Sequence, residues 1–360
     1  MRTVAWLEIE SSTQKVCGII SIITNSFLII LILTKSPPKL GAYKWLMLYT
    51  SFFELFYACL NFFVGPSIDT YNSVLIAFQD LDKVRFDHET SLFLILIYCS
   101  CFGSSMALFA VHFIYRYGAV NIDFKQKYLS GGRQLFLYIC PPAFGVFWGI
   151  NVWLTMSETQ MKTDYVRQHI LKKFGMSIDE CAYVGIFFWP KDKSGNVYPD
   201  VTSFIGVSVM YIILGFSMIS VTYFAFNCYR WISRKLGNME NVSQAAKSLQ
   251  LQLFYALIVQ AAIPCVLMYI PAATVFTCPM LNINLDLKYP FIGVTIAIYP
   301  AIDPFPTILI IKNYRKGCIE LLTCRWKKNQ ILMGYSHNGV CVSPKPSAPN
   351  INNLLTIAAL

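Results

Sequence analysis

The chain has 360 residues, 56% of them hydrophobic and 13% charged, with a formal net charge of +10. Its long uncharged runs cannot supply the charged outer faces that soluble helices need, which excludes a soluble helical protein. It has no Gly-rich phosphate loop, no His-Glu-x-x-His and no metal-spaced Cys/His cluster, and His occurs only 4 times; an enzyme, a metal site and a bound cofactor are not expected.

Residues 1–15 are polar and read as an extracellular N-terminus. Seven uncharged stretches follow, at 16–34, 45–65, 91–114, 134–156, 202–226, 251–276 and 290–311. Each can cross ~30 Å of hydrocarbon at ~1.5 Å per residue. Together they hold two of the 48 charged residues, Glu54 and Asp303. The first stretch is too long for a signal-peptide core and lacks a small-residue cleavage site, so it reads as a retained anchor. The fold class is therefore an all-α membrane protein, a seven-transmembrane helix bundle.

The loops set its orientation. The N-terminus and the second, fourth and sixth loops carry 11 Lys and Arg and 14 acidic residues. The other loops and the C-terminal tail carry 18 and 3. Basic residues collect on the cytoplasmic side, which places the N-terminus outside and the tail inside. The net positive charge then faces anionic lipid and cytosolic partners; no nucleic acid is implied.

Inside the spans, Glu54 lies ~14 Å and Asp303 ~12 Å above the inner ends of helices 2 and 7. Mid-membrane acids are costly and point to function. The pair can share a proton, bind a cation or anchor water. Alternatively they only accept hydrogen bonds from groups such as Asn25, Ser104 or Ser105. Helix 3 closes on His112-Phe113-Ile114-Tyr115-Arg116-Tyr117, where Arg116 is either a functional cation or an arginine snorkelling in an aromatic belt; His112 reads as a packing residue. Helix 6 contains Pro264 and Pro271. Helix 7 reads Tyr299-Pro300-Ala301-Ile302-Asp303-Pro304-Phe305-Pro306-Thr307, and three prolines in so short a run break a straight helix.

The outer halves of the spans hold aromatic and apolar groups and no charge. Tyr98, Phe102, Met268, Tyr269 and Phe291 are the candidate lining of a pocket for a small, weakly polar ligand. After helix 7, Ile311, Tyr314, Cys318, Leu322 and Trp326 oppose a basic face, predicting an amphipathic juxtamembrane helix over 312–328 on the inner leaflet. Cys318 and Cys324 there are candidates for palmitoylation. Residues 329–360 read as a disordered cytoplasmic tail. Among 12 cysteines only Cys181 and Cys278 fall in extracellular loops, so they are the candidate disulfide. The sequon at Asn241 falls on the cytoplasmic side.

The combination that closes helix 3 on Tyr115-Arg116-Tyr117 and runs Tyr299-Pro300-Ala301-Ile302-Asp303-Pro304 into Asn313-Tyr314-Arg315 resembles the serpentine G-protein-coupled receptors. More narrowly it resembles the nematode chemoreceptors of the Str class, the serpentine receptor class r group that includes the diacetyl receptor. The resemblance spans about residues 10–325. It implies a multi-pass plasma-membrane receptor of sensory-neuron cilia that binds an odorant or pheromone and activates a heterotrimeric G protein. It also implies that Arg116, with Tyr115 and Tyr117, contacts the G protein, and that Glu54, Asp303, Pro300 and Pro304 form an activation network.

The chain departs from rhodopsin-like receptors at three places. Tyr115 stands where an acid commonly precedes the arginine, Thr307 stands in place of a tyrosine, and no Cys occurs in 86–95. Two other classes stay open at this level. A ligand-gated seven-helix channel of the insect odorant-receptor kind has the opposite orientation, and a ligand-less membrane scaffold would be indifferent to changes at Arg116.

Overall fold

The computed structural model describes residues 2–323 apart from 85, 239–243, 286 and 288. In chain order the elements begin with α1 (Arg2–Lys35), α2 (Tyr43–Phe63), a hairpin of β1 (Ser67–Tyr71) and β2 (Val74–Asp80), and α3 (His88–Val120). The short α4 (Ile122–Tyr128), α5 (Leu135–Met156), α6 (Gln160–Phe174), β3 (Cys181–Phe187) and α7 (Val201–Asn238) come next. The chain continues with α8 (Gln244–Pro264), a π-helical turn over Cys265–Tyr269, α9 (Ile270–Met280), α10 (Ile292–Ile302), α11 (Pro304–Ile310) and α12 (Lys312–Leu322). Seven helices among the described residues are long and apolar enough to cross a membrane. Spans 1 to 5 are α1, α2, α3, α5 and α7; span 6 joins α8 to α9 and span 7 joins α10 to α11.

Spans 3 and 4 meet through small residues. A Cβ on Gly145 would lie 2.6 Å from the Ser100 carbonyl, and one on Gly103 would lie 2.6 Å from Trp148 Cβ. Without hydrophobic drive between helices in lipid, such close backbone approach is what holds them together.

The outer loops fold into a sheet that sequence periodicity did not announce. Tyr71 pairs with Val74 across a two-residue turn in which Asn72 has φ 51°, a conformation Asn tolerates and tight hairpins require. Strands β1, β2 and β3 lie in that order, all antiparallel. Both faces are covered. Leu75, Ala77, Val184 and Ile186 look down into the bundle, while Val74, Ile76, Phe78, Tyr183 and Phe187 pack with Ile170 and Phe174 of α6. This two-sided burial removes the polar alternation that marks a half-exposed strand.

An ionic clamp fastens the lid. Asp69 is 1% exposed and accepts from His169 Nε2 at 2.9 Å and Lys173 Nζ at 2.6 Å. Lys173 also donates to the Leu287 carbonyl at 2.8 Å, tying β1 and α6 to the loop before span 7.

The structure bears on three expectations, at the ends of the chain and in its loops. The helix α1 begins at Arg2 and so runs through the polar N-terminal segment, where Trp6 Nε1 donates to the Pro290 carbonyl at 2.9 Å and Glu10 accepts from Ser67 Oγ at 2.8 Å. Of the polar residues there, Glu10 and Gln14 are buried against protein, while Glu8, Ser12 and Lys15 are exposed.

The Cys181–Cys278 bridge is not formed; both are free thiols. Cys181 begins β3 and touches Met176 Sδ at 3.6 Å, whereas Cys278 lies close to Met280, whose carbonyl accepts from Trp189 just past the other end of that strand. The length of β3, ~3.3 Å per residue, separates them well beyond the ~7 Å that a disulfide spans. Burial, with Asp80 and other acids nearby, pushes the Cys181 thiol up to about 12, which keeps it an unreactive thiol at neutral pH.

At the inner end, α12 folds against span 1. Tyr314 is fully buried with its hydroxyl 2.8 Å from Ser36 Oγ, and Lys35 meets Glu320 at 2.7 Å, holding that carboxyl below its usual range. Cys318 is half-buried against the inner core. Cys324, residues 324–328 of the amphipathic segment, the tail from 329 and Asn241 lie outside the described residues.

Candidate functional site

Beneath the sheet lies a cavity of about 90 Å³. Its roof includes Ile68, Leu75 and Ile186; its walls include Tyr98 and Phe102 of span 3, Trp148 of span 4, Met210 of span 5, Ala272 and Phe276 of span 6, and Ile292 and Ile296 of span 7. No charged side chain lines it. At ~10–15 Å³ per water-sized occupant, it holds a molecule of roughly six to nine heavy atoms. A second cavity of about 20 Å³ lies against Phe102, Met106 and Tyr269.

The candidate pocket residues separate accordingly. Tyr98 and Phe102 line the larger cavity, and Tyr269 lines the smaller. Met268 and Phe291 line neither. Met268 is fully buried within the π-helical turn, whose wider winding shifts the face of span 6 so that Ala272 and Phe276 reach the cavity. Phe291 precedes the first turn of α10 and is 45% exposed, so the following Ile292 takes the wall position.

Midway down, the proline-broken part of span 7 is held by side chains from its neighbours. Pro304 has no N–H for the Pro300 carbonyl, and Asn25 Nδ2 of span 1 donates to that oxygen instead at 2.9 Å. Thr24 Oγ1 reaches the Ala301 carbonyl at 3.2 Å. Gln260 of span 6 donates through Nε2 to Asp303 Oδ2 at 2.8 Å and to the Asp303 carbonyl at 3.2 Å, and its own Oε1 accepts from Thr307 Oγ1 at 3.0 Å. Glu54 of span 2 lies beside Asp303 and the Tyr299 hydroxyl. The structure thus unites Glu54, Asp303, Pro300 and Pro304. Ser104 and Ser105 are not in the set: Ser105 Oγ donates to the Phe102 carbonyl at 2.7 Å, and Ser104 faces Gly145.

At the inner end Arg116 is 2% exposed, not snorkelling. Its Nη2 donates to Gln250 Oε1 at 2.5 Å and to the Gln250 carbonyl at 3.1 Å, and the guanidinium stands over the Tyr43 ring at 5.1 Å. Tyr115 stacks against the Tyr43 ring at 5.3 Å. Tyr117 turns away, packing on Phe124 and Phe224 and accepting from Asn121 Nδ2 at 2.9 Å. His112 is the packing residue expected, bonded to Tyr43 and to Thr50 Oγ1. A polar cavity of about 230 Å³ opens beside Arg116, with Lys39 and Lys125 in its wall and no acidic residue. Spans 3 and 6 are therefore latched through a neutral amide.

Gln250, Gln260 and the buried Glu10 were not singled out from sequence. Gln260 is an uncharged amide near the middle of a largely apolar span, and amides in spans commonly join helices; that signal was available. Gln250 and Glu10 sit just outside the predicted span limits, where nothing local marks them as buried.

The chain matches the family model described as serpentine type 7TM GPCR chemoreceptor Str over residues 10–319. It is 31% identical over 314 residues to G-protein coupled receptor str-217 of Caenorhabditis elegans, covering 87% of this chain and 90% of that protein. It is 28% identical to serpentine receptor class r-10 of Caenorhabditis briggsae, covering 91% and 94% of the two, and 26% identical to the Caenorhabditis elegans protein of the same name over the same shares.

Proposed function

The chain belongs to the Str family of seven-transmembrane serpentine chemoreceptors, and on that premise we propose that it binds a small, largely apolar odorant or pheromone in the outer cavity and activates a heterotrimeric G protein at its inner face. It is a multi-pass membrane protein and not an enzyme; placement in a sensory cilium belongs to the proposal. The observation that carries the reading is the uncharged cavity walled by spans 3 to 7 and roofed by the sheet. A charged amine would lack a counter-ion there, whereas an apolar body gains from every wall.

Occupancy of that cavity bears on spans 6 and 7, which are joined lower down by Gln260 and Asp303. A ligand that favours one arrangement of these spans by ~3 kcal/mol shifts the populations about 150-fold. Opening the latch between Arg116 and Gln250 would then present Arg116, with Tyr115 and the basic loops, to the G protein. Glu54, Asp303, Pro300 and Pro304 serve as the element with two arrangements, because the freed carbonyls can exchange partners.

The test is expression in intact cells with a G-protein readout, an outward N-terminal tag, and a panel of small volatile compounds. A saturable response lost in Ala272→Trp, with surface level retained, is expected. A response that survives filling of the cavity, or an N-terminus found inside, overturns the reading.

A further inference from the structure

The inner end of the bundle buries a charge without a counter-charge. Arg116 is 2% exposed, yet it forms no ion pair with a carboxylate among the described residues. Of its nitrogens only Nη2 is bonded, to two neutral oxygens of Gln250, and Nε is buried with no acceptor. A buried cation in this state is costly unless an opposite charge meets it. The described chain does not supply that charge. The inner face carries three acids, Asp123, Glu240 and Glu320. Asp123 is exposed on α4 and outside the cavity wall, Glu320 is held by Lys35, and Glu240 lies outside the described residues. The sequence after α12 contains Arg325, Lys327, Lys328 and Lys345 and no acid.

Arg116 lines the polar cavity of about 230 Å³, and two further cations stand in the same wall. Lys39 comes from the turn after span 1 and Lys125 from α4, while Gln134 and Gln250 add amides. Cations from three separate elements repel one another across one space unless an anion lies between them. At ~10–15 Å³ per water-sized occupant, the cavity takes roughly fifteen to twenty heavy atoms, far more than a halide ion needs. We propose that this inner cavity is a binding site for a phosphate ester of a small polyol. Its phosphate oxygens accept from Arg116 and meet Lys39 and Lys125, the cation types that proteins use for phosphate, and the Gln134 amide bonds the polyol hydroxyls. Two sources carry this chemistry: a phosphoinositide headgroup of the anionic inner leaflet and a soluble inositol phosphate. In the reading above, the G protein meets Arg116 after the latch has opened. The phosphate ester occupies the cavity while the latch is closed, so this inference stands apart from the outer ligand site.

Full-length receptor in phosphatidylcholine nanodiscs is tested with two probes. Radiolabelled inositol trisphosphate is added to the solution and its binding measured. Phosphatidylinositol bisphosphate is built into the disc and the rise in unfolding temperature followed, with phosphatidylserine at matched charge as its control. Both are read for the unaltered protein, Lys39→Gln, Lys125→Gln and Lys127→Gln. The last removes the same charge from α4 but lies outside the cavity wall. Saturable binding of the soluble probe, weakened about tenfold in Lys39→Gln and Lys125→Gln alone, assigns a soluble ester; tenfold is the scale of one bond to a charged group. A temperature rise specific to the bisphosphate lipid and lost in the same two variants assigns a headgroup. No response to either probe overturns the site, as does a response that survives both cavity substitutions. So does one that phosphatidylserine matches or that Lys127→Gln weakens equally, because a basic face attracts any anion in that way.

Discussion

The outer and inner halves of this bundle are built on opposite principles. The outer half encloses an uncharged cavity whose contacts are non-directional, so many small molecules of suitable shape gain a similar stabilisation there. The inner half is held by bonds that are made or broken: Arg116 to Gln250, Gln260 to Asp303, Asn25 to the Pro300 carbonyl. Graded contacts suit recognition of a weakly polar ligand, whereas discrete bonds suit a switch, because interfaces with alternative pairings are bistable. Spans 6 and 7 belong to both halves, and each is interrupted by proline near the crossing point.

The sharpest way to break that contrast is at Arg116. Arg116→Ala should reduce ligand-evoked signalling by tenfold or more at unchanged surface level, since bonds to a charged group are worth ~1.5–3 kcal/mol. Cell-surface labelling alongside a G-protein assay decides it, and normal signalling would remove the residue from the switch. An outer change should act differently. Asp69→Ala leaves Lys173 and His169 without their shared acceptor. Breaking one partner of a buried pair costs 3–5 kcal/mol; with part of each cation reaching solvent, about 2 kcal/mol is expected. Ligand dissociation should quicken by about thirtyfold and α6 should exchange amide hydrogens faster, while basal signalling stays the same. A raised basal signal would mean that the lid and the latch are not separable.

The two halves were also unequally legible. Seven spans and the shared depth of Glu54 and Asp303 follow from charge and length alone, because a charge in hydrocarbon is costly enough to leave few alternatives. Pro300 and Pro304 marked the break in span 7, but not that Asn25 would reach across to satisfy it, since long-range partners leave no local period. The roof was missed for a different reason: β2, Val-Leu-Ile-Ala-Phe, is buried on both faces and so lacks alternation. Met268 was misplaced by a π-helical turn that no residue pattern announces. The resemblance supplied the role proposed for Arg116; only the packing identifies Gln250 as its partner.

Gln250 gives a smaller effect of opposite sign. Gln250→Ala removes the acceptor side chain and leaves Arg116 only the backbone carbonyl, so the closed arrangement should lose about 1.4 kcal/mol, within the range for bonds to charged groups. Basal signalling should rise about tenfold without ligand, read in the same assay. A fall would show that the amide positions Arg116 for the G protein and does not restrain it. Arg116→Ala and Gln250→Ala break the same bond, so opposite outcomes separate a switch from simple loss of packing.

The smallest expected effect lies at the cysteines. Cys278→Ser breaks no bridge, because Cys278 and Cys181 stand near opposite ends of the sheet. Its cost should stay within about 0.5 kcal/mol, as for substitutions away from structural features. Unfolding temperature should be insensitive both to this change and to reducing agent. A drop of several degrees on reduction would require the lid to be stapled covalently to span 6. In that case the ionic clamp at Asp69 would no longer set how fast the cavity opens, and the outer half would be as discretely fastened as the inner.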